Sequence, residues 1–305
     1  MCIRDRYVIF IGDDDALMPG GLKNLAKSIL ETNKADAYKW PTITYWWPID
    51  NNEPWVTNIA LESTKKAMLK CDEKLVVENN LKKLAIRTIR HGFWRYSDLP
   101  MSYHNAISIR VYKEIAKSSG RVFHSNGPDF VTFLEIPIFA DTVVRLPAPV
   151  SIFGISAKSN GGSSVSKNGK NVVQQFIAEY GRYNFHPWLP SCLDDYYRLY
   201  MDPFLVPLTL FPSFYGGIQL NYSAMWAFMR RMRFVNRRFV YEHLIEIKKC
   251  HKFSLVMFEI YCLANDFFSL RRKILNRPIG DDRRIVPEKN IYDFVNSLAK
   301  ELDLI

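Results

Sequence analysis

The sequence has few cysteines, and none of them is placed as in a known structural motif. Its 305 residues include five cysteines, with no pair at the C-x-x-C spacing typical of zinc or redox sites. The odd number and the scattered positions argue against a disulfide framework and against a zinc site. Reduced thiols in the cytoplasm are the simplest interpretation. The sequence also shows no internal repeat and no low-complexity tract.

Long uninterrupted apolar runs are missing as well. Residues 203–229 contain no charged side chain, and that length is enough to cross a bilayer. Prolines and adjacent glycines break this run, at Pro203, Pro207, Pro212, Gly216 and Gly217. We therefore expect no simple transmembrane helix in this part of the sequence.

The composition is that of a folded, basic protein. Apolar residues make up 48% of the sequence, which excludes a disordered chain and predicts a sizeable core. The formal net charge is +10, which favours anionic partners such as phosphates, nucleic acid or an acidic membrane face. Charge alone does not choose among these partners.

Strands and helices alternate in the first half of the sequence. Residue patterns predict strands over 7–11, 37–47, 105–109 and 143–153, and helices over 19–32, 72–90, 111–117 and 130–139. From residue 172 onward the sequence is almost wholly helical in pattern. We therefore predict an α/β fold with an open sheet over 7–165, whose active site lies beyond the strand ends, and a helical region over 166–305.

An acidic turn follows the first predicted strand. The apolar residues Val8–Ile11 lead into Gly12 and then into Asp13, Asp14 and Asp15. Adjacent carboxylates repel one another, and a bound Mg²⁺ or Mn²⁺ would relieve that repulsion while sharing oxygens with a substrate phosphate. The other interpretation is a solvated turn in which one aspartate caps the next helix, and residue types alone favour neither.

The stretch YVIFIGDDDALMPGGL resembles the metal-binding strand and turn of family 2 nucleotide-sugar glycosyltransferases, the inverting GT-A group. Leu17, Pro19 and Leu22 occupy the matching places after the turn. The resemblance implies that Asp14 is the main metal ligand, flanked by Asp13 and Asp15. Gly12 stands where the commoner pattern has its first aspartate, which is a departure from the family.

A second carboxylate downstream is the candidate general base. The stretch NAISIRVYKEIAKSSGRVFHSNGPDF resembles the region in which the family places its base at a helix start, and this assigns the role to Asp129. The alternative is that Asp129 only caps that helix, and the two roles are compatible. Farther along, Glu135 is expected to be structural or solvated. His104 and His124 are expected near the acceptor side.

The Gly/Ser-rich run over 155–171 also resembles this group, in which a flexible segment closes over the donor. Ser159 and Asn160, with the two following glycines, could present backbone N–H groups to phosphate, and a plain linker is an equal alternative. Together with Asp13, which would act through the metal, Ser159 and Asn160 are the predicted donor-binding residues.

The resemblance implies a GT-A-like open mixed sheet without its first strands, followed by an all-helical C-terminal region. It implies a metal-dependent, inverting transfer of a hexosyl or N-acetylhexosaminyl group, with Mg²⁺ or Mn²⁺, from a nucleotide-sugar to a glycan or lipid-linked acceptor. Residues 1–6, MCIRDR, look like a translated adapter. We therefore expect native sequence from about Tyr7, and poor donor binding or inactivity, because the family's base- and ribose-binding strand would be absent.

An arginine-rich amphipathic segment lies over residues 224–247. Apolar residues share one helical face and arginines spread over the other, as in interfacial membrane helices. Packing on the protein's own core is the slightly favoured alternative. We expect no nucleic acid partner, and a cytoplasmic protein for which a peripheral position at the inner membrane face stays open.

Two other functions compete with glycosyl transfer. In a haloacid-dehalogenase-like phosphohydrolase, Asp13 would be the nucleophile and Asp15 the acid/base, with a late acidic motif at Asp281 and Asp282. Ala16 stands where that family usually has threonine or valine. A non-enzymatic protein that binds membranes or anions would leave the acidic turn unexplained.

Overall fold

The computed structural model describes residues 6–48, 54–57, 75–93, 96–156, 159, 174–175, 177–179, 184–189, 191, 193, 195–231, 260, 264, 284–285 and 290–302. Within these residues the chain forms two mixed β-sheets with helices packed against them. The predicted α/β class is confirmed at this level.

The described strands are β1 (Tyr7–Ile9), β2 (Ala16–Leu17), β3 (Ala37–Lys39), β4 (Ile43–Trp46), β5 (Trp55–Thr57), β6 (Val76–Asn79), β7 (Asn105–Ser108), β8 (Thr142–Arg145), β9 (Ser151–Ile155) and β10 (Arg284–Ile285). The described helices are α1 (Gly21–Glu31), α2 (Leu81–Arg90), α3 (Ile109–Ser119), α4 (Pro128–Phe139), α5 (Asp195–Leu210), α6 (Pro212–Tyr215), α7 (Tyr222–Arg231) and α8 (Ile291–Glu301).

The first sheet has the order β1-β7-β3-β8-β6, in which only the β3–β8 pair is parallel. Successive side chains alternate between its faces, so two rows of apolar residues cross the central strands. The rows are Ala37, Ile107, Val143 and Tyr38, Ala106, Val144. The first row packs against α3 and α4, and the second against α1, which places the sheet between two helical layers.

The second sheet has the order β10-β5-β4-β9-β2. Helix α8 covers it through buried Phe294, Val295 and Leu298. Both β10 and α8 come from the C-terminal region that the sequence predicted to be all helical. That prediction is wrong at Arg284–Ile285, which pair with Val56 and Thr57 as a short strand.

The helices α5, α6 and α7 pack together with α2 and α4 around Phe204, in a core rich in aromatic side chains. Met225, Trp226 and Phe228 of α7 are buried in that core. The beginning of the arginine-rich segment is therefore packed into the protein, whereas its residues 232–247 lie outside the described part. None of the described helices combines the length and the apolar character that a membrane span requires.

Two of the predicted strands are each split into two shorter strands by a segment that contains proline. Over 37–47 the chain leaves the first sheet after Lys39, passes Pro41 and enters the second sheet at Ile43. Over 143–153 the residues between β8 and β9 contain Pro147 and Pro149. Proline has no N–H to donate to a neighbouring strand, so it ends the strand pairing. The residues before and after it can therefore join different sheets.

The predicted helix over 72–90 begins only at Leu81. Val76–Asn79 instead pair antiparallel with β8. Asn80 adopts a left-handed backbone with φ of 105°, and its side chain accepts a hydrogen bond from the Lys83 N–H at 3.0 Å. This N-cap starts the helix and lets the β-branched residues before it join the sheet edge.

Candidate active site

The acidic turn joins the two sheets. It leaves β1 of the first sheet after Ile9 and enters β2 of the second sheet at Ala16. The Gly12 N–H donates to the Asp15 carboxylate, which closes the turn on itself. Met18 N–H then donates to the Val150 carbonyl at 2.9 Å, which fixes the far end of the turn beside β9. The three aspartates are thus held at the junction of the sheets.

Asp15 points into the protein. Only 1% of its side chain is exposed, and its Oδ1 accepts a hydrogen bond from the Gly154 N–H at 2.7 Å. Its Oδ2 lies 3.1 Å from Nε2 of His104, whose side chain is 5% exposed. Both carboxylate oxygens are therefore occupied by groups of the protein itself.

The surroundings of Asp15 favour its ionised form. Burial alone would raise the pKa of Asp15, but the adjacent His104 and the Gly154 and Gly12 N–H groups outweigh it. The pKa of Asp15 is consequently held below its ordinary value. A carboxyl group in this state accepts hydrogen bonds and holds no proton to donate near neutral pH.

His104 is the centre of a buried hydrogen-bonded chain. The Trp40 indole N–H donates to Ser151 Oγ at 2.9 Å, and that oxygen lies 2.8 Å from His104 Nδ1. The Ser151 hydroxyl accepts from Trp40 and can still either donate to His104 Nδ1 or accept from it, while the Asp15 carboxylate beside Nε2 favours a proton on that nitrogen. His104 also has a left-handed φ of 53°, which non-glycine residues seldom adopt. The side chain is thus held in place at the cost of backbone strain.

Asp14 is attached to the end of β9. Its Oδ2 accepts a hydrogen bond from the Ser156 N–H at 3.0 Å, and its carbonyl accepts one from the Trp47 indole at 3.0 Å. Ser159 forms a short turn with Ser156, whose Oγ accepts from the Ser159 N–H at 3.1 Å. The structure therefore brings Ser159 to the side of the acidic turn, whereas Asn160 lies outside the described residues. Asp13 is exposed at the tip of the turn.

The turn can approach β9 because residue 154 is glycine. A Cβ at Gly154 would overlap the carbonyl of Asp14 and lie 3.1 Å from the Trp47 indole nitrogen. A Gly154→Ala substitution should therefore push the turn away from β9 and cost about 2 kcal/mol of unfolding free energy, measurable by urea denaturation. Gly217→Ala is the matched control, since a Cβ there meets nothing within 4 Å. Equal stability of the two variants would contradict this account of the turn.

Asp129 lies in the first turn of α4, whose N-cap position is Gly127. Asp129 is therefore not the N-cap residue that the sequence suggested. A carboxylate in the first turn still stabilises the helix through its interaction with the helix dipole. Burial raises the pKa of Asp129, opposed by backbone N–H groups of the same turn and by the charge of His104. A raised pKa is the property that a general base requires for proton transfer near neutral pH.

The segment Ser102–His104 connects Asp129 to the acidic turn. On one side, the Ser102 N–H donates at 2.9 Å to Thr132 Oγ1, which itself donates at 3.0 Å to the Asp129 carbonyl. On the other side, the His104 N–H donates at 3.1 Å to the Phe10 carbonyl, just before the turn. The same three residues therefore hold both ends of the candidate site.

Tyr103 lies between the two acidic groups. Burial raises the pKa of Tyr103, and the negative charges of Asp129, Asp15 and Asp13 raise it further. Its ring stacks on Phe10, with 6.4 Å between the ring centres. Tyr103 is therefore influenced electrostatically by carboxylates of both the acidic turn and α4.

The described residues contain no group of three or more His, Cys, Asp or Glu side chains arranged to hold a metal ion. Among the residues that the structure describes, none donates a hydrogen bond to Asp13 or to the Oδ1 of Asp14, whereas Asp15 is occupied. Two neighbouring carboxylates suit Mg²⁺ or Mn²⁺ when water and substrate phosphate complete the coordination. The carboxylate oxygens of Asp13 and Asp14 would suit a divalent cation whose remaining coordination positions are filled by a bound ligand and water.

A second buried carboxylate is separate from this cluster. Glu135 of α4 has a fully buried side chain, and its Oε1 lies 2.6 Å from His124 Nδ1. Burial raises the pKa of Glu135, and the hydrogen bond and charge of His124 oppose that rise. Glu135 is therefore structural and not solvated. His124 is paired with it in the interior, where 4% of its side chain is exposed.

Sequence reasoning missed the roles of Ser151, Gly154 and Tyr103. None of them belongs to a motif, and each lies more than 85 residues from the acidic turn. His104 was expected near the acceptor side, without a partner. No short-range sequence signal could have assigned it to Asp15, since their contact depends on how β1, β7 and β9 are arranged.

Comparisons with known proteins give no relative: no family model, curated protein or solved structure matches this chain.

Proposed function

We propose that this protein is a metal-dependent, inverting glycosyltransferase that moves a sugar from a nucleotide-diphosphate donor to a hydroxyl group. The acceptor would be a glycan or a lipid-linked sugar. The observation that carries the proposal is the connection of the acidic turn to Asp129 through Ser102–His104. That segment ties the exposed Asp13 and the half-buried Asp14 to a half-buried Asp129 whose pKa is raised by burial.

The surroundings of each aspartate indicate a different role for it. Asp13 and Asp14 would hold Mg²⁺ or Mn²⁺, which supplies positive charge to stabilise the leaving diphosphate. Asp129 would accept the proton of the attacking hydroxyl at a carboxylate oxygen. Asp15 would not bind the cation, because His104 and two backbone N–H groups already occupy it. Its task is to fix the turn that presents the other two aspartates.

Ser159 supports the donor side of this proposal. It follows Ser156, whose N–H binds Asp14, so the residues after β9 begin beside the carboxylates. The Ser159 N–H itself donates to Ser156, so this short turn would have to open before that N–H could contact the donor phosphates. Asn160 keeps its predicted role without structural support.

The phosphohydrolase alternative is not favoured by any of these contacts. It requires Asp15 to carry a proton and to deliver it as an acid. Burial next to His104 and a lowered pKa oppose that role. The late acidic residues Asp281 and Asp282 lie outside the described part of the chain.

The first test of the proposal is cation binding. Titration calorimetry with Mn²⁺, with and without a panel of nucleoside diphosphates, should show binding that Asp14→Ala weakens at least about tenfold. Glu31→Gln is the matched control, because it removes an exposed carboxylate from α1. Turnover of a nucleotide-sugar panel is measured in parallel. If the wild-type protein binds no Mn²⁺ under any of these conditions, or if Asp14→Ala binds it equally well, the metal-dependent mechanism is wrong.

A further inference from the structure

The outward face of α2 carries one sign of charge. Between Leu81 and Phe93 the sequence LKKLAIRTIRHGF contains four Lys or Arg residues and no carboxylate. The helix packs inward through Leu81, Ala85 and Ile89, each 0% exposed. The opposite face borders an open groove of about 530 Å³, lined mainly by Lys82, Lys83, Ile86, Arg87, Arg90 and His91. We call this surface the α2 basic face.

Two other long helices each contain a basic residue that is paired with a carboxylate. On α1, Lys27 lies 3.7 Å from Glu31, and on α3, Arg110 forms a 2.5 Å ion pair with Asp36. On the α2 basic face, Lys83, Arg87 and Arg90 form no ion pair with the described residues, and Lys82 lies over the Phe214 ring. Within the described part of the chain, the charges of Lys83, Arg87 and Arg90 therefore have no carboxylate partner.

The arrangement is unfavourable for α2 on its own. Lys82 and Lys83 stand in the first turn, where the helix dipole is already positive and no acidic residue is present. Lys83 and Arg87 are four residues apart, so like charges face each other along the helix. An anionic partner would relieve both effects at once. We propose that the α2 basic face docks the protein on an anionic lipid bilayer.

The shape of the surface favours a bilayer over other anions. A small phosphate ligand is usually held in a closed pocket by converging groups, but this groove is open and its cations lie side by side on one helix. Its lining includes no Phe, Tyr or Trp, whereas surfaces for single-stranded nucleic acid use exposed rings of these residues for stacking. A flat row of Lys and Arg suits phosphate headgroups spread over a plane.

The segment 211–220, which lies beside the α2 basic face, contains no charged residue. Lys82 Nζ lies 4.3 Å from the centre of the Phe214 ring of α6, which joins the basic face to residues 211–220. That segment contains no carboxylate, and its Pro212, Ser213 and Gly216 are exposed. At the other end of α2, a Cβ at Gly92 would overlap the backbone of Ala224 and Met225. The basic face is thus held rigidly against α6 and α7.

The test compares two variants of the full chain that carry the same change in net charge. One replaces Lys83, Arg87 and Arg90 with glutamine on the α2 basic face. The other replaces Lys23, Lys113 and Lys117 with glutamine on the exposed surfaces of α1 and α3. Glutamine keeps helix propensity, and far-UV circular dichroism checks that both variants are folded. Binding is measured by co-sedimentation with vesicles of phosphatidylcholine, either pure or containing 30% phosphatidylserine.

We expect wild-type protein to bind the phosphatidylserine vesicles and to be released in 1 M salt. Each Lys or Arg near an anionic leaflet contributes about fivefold to partitioning, so the α2 variant should bind about a hundredfold more weakly. The control variant should change by no more than severalfold. Equal losses in the two variants, equal binding to pure phosphatidylcholine, or stronger binding to a single-stranded oligonucleotide would overturn the proposal. These outcomes are independent of glycosyl transfer.

Discussion

Asp129→Asn should lower the rate of sugar transfer by about 10²- to 10⁴-fold, the range typical for loss of a general base. Asparagine keeps the size of the side chain but cannot take the acceptor proton. The substitution should leave Mn²⁺ binding unchanged, because Asp13 and Asp14 are on another element. Transfer is measured with the donor that turns over best, and cation binding by calorimetry.

The pH dependence of the wild-type rate follows from the same residue. Because burial raises the pKa of Asp129, the group is protonated at pH values where an ordinary aspartate is already ionised. Transfer should therefore fall as the pH drops through this raised pKa and should level off above it. In Asp129→Asn the acid limb of the profile should disappear from the residual rate.

Asp141→Asn is the control for Asp129→Asn, since it makes the same chemical change just beyond the other end of α4, at an exposed position. It should transfer sugar at the wild-type rate. If the protein binds Mn²⁺ and Asp129→Asn is as active as Asp141→Asn, then Asp129 is not the general base. The proposed cation site would be unaffected by that result.

Asp15→Ala should destabilise the fold by about 3 kcal/mol, whereas Asp13→Ala should change the unfolding free energy by less than about 0.5 kcal/mol. Removing the Asp15 carboxylate leaves His104 and the Gly154 N–H buried without their acceptor. Asp13 is exposed at the tip of the turn, so its loss leaves no buried group unpaired. Urea denaturation at pH 7 measures both variants.

The contribution of Asp15 to stability also has a definite pH dependence. Its pKa is lowered in the folded state, so the unfolded chain takes up its proton first as the pH falls. The stabilisation is complete above the unfolded pKa of about 4 and is lost as the pH drops through the folded value. Asp15→Ala should therefore differ most from wild type near neutral pH and converge with it in acid. A constant difference down to the acid limit would mean that the carboxylate charge contributes nothing.

The two alanine variants should separate stability from cation binding. Asp13→Ala should remain stable and bind Mn²⁺ more weakly, whereas Asp15→Ala should lose stability first. If Asp15→Ala were as stable as wild type and lost only Mn²⁺, then Asp15 would be a ligand, as the sequence resemblance implied, and the inward-facing arrangement would be wrong.

The sequence predicted those features that depend on neighbouring residues. The apolar strand before the acidic turn and the helix that begins beside Asp129 follow from residues within a few positions of one another. Its errors occurred where pairing with a distant strand outweighed local preference. Val76–Asn79 became a strand because β8 was available to them, and the run over 143–153 was divided between two sheets.

The sequence by itself determined that three carboxylates follow an apolar strand and that a fourth stands at a helix start. Only the tertiary structure decided which of the three faces the interior. The Gly154 N–H and the His104 ring, 139 and 89 residues away, surround Asp15, whereas Asp14 is half-buried and Asp13 is exposed. Identical side chains in adjacent positions have the same intrinsic chemistry, so their different roles arise from burial and from the hydrogen-bond donors that the fold brings to one of them.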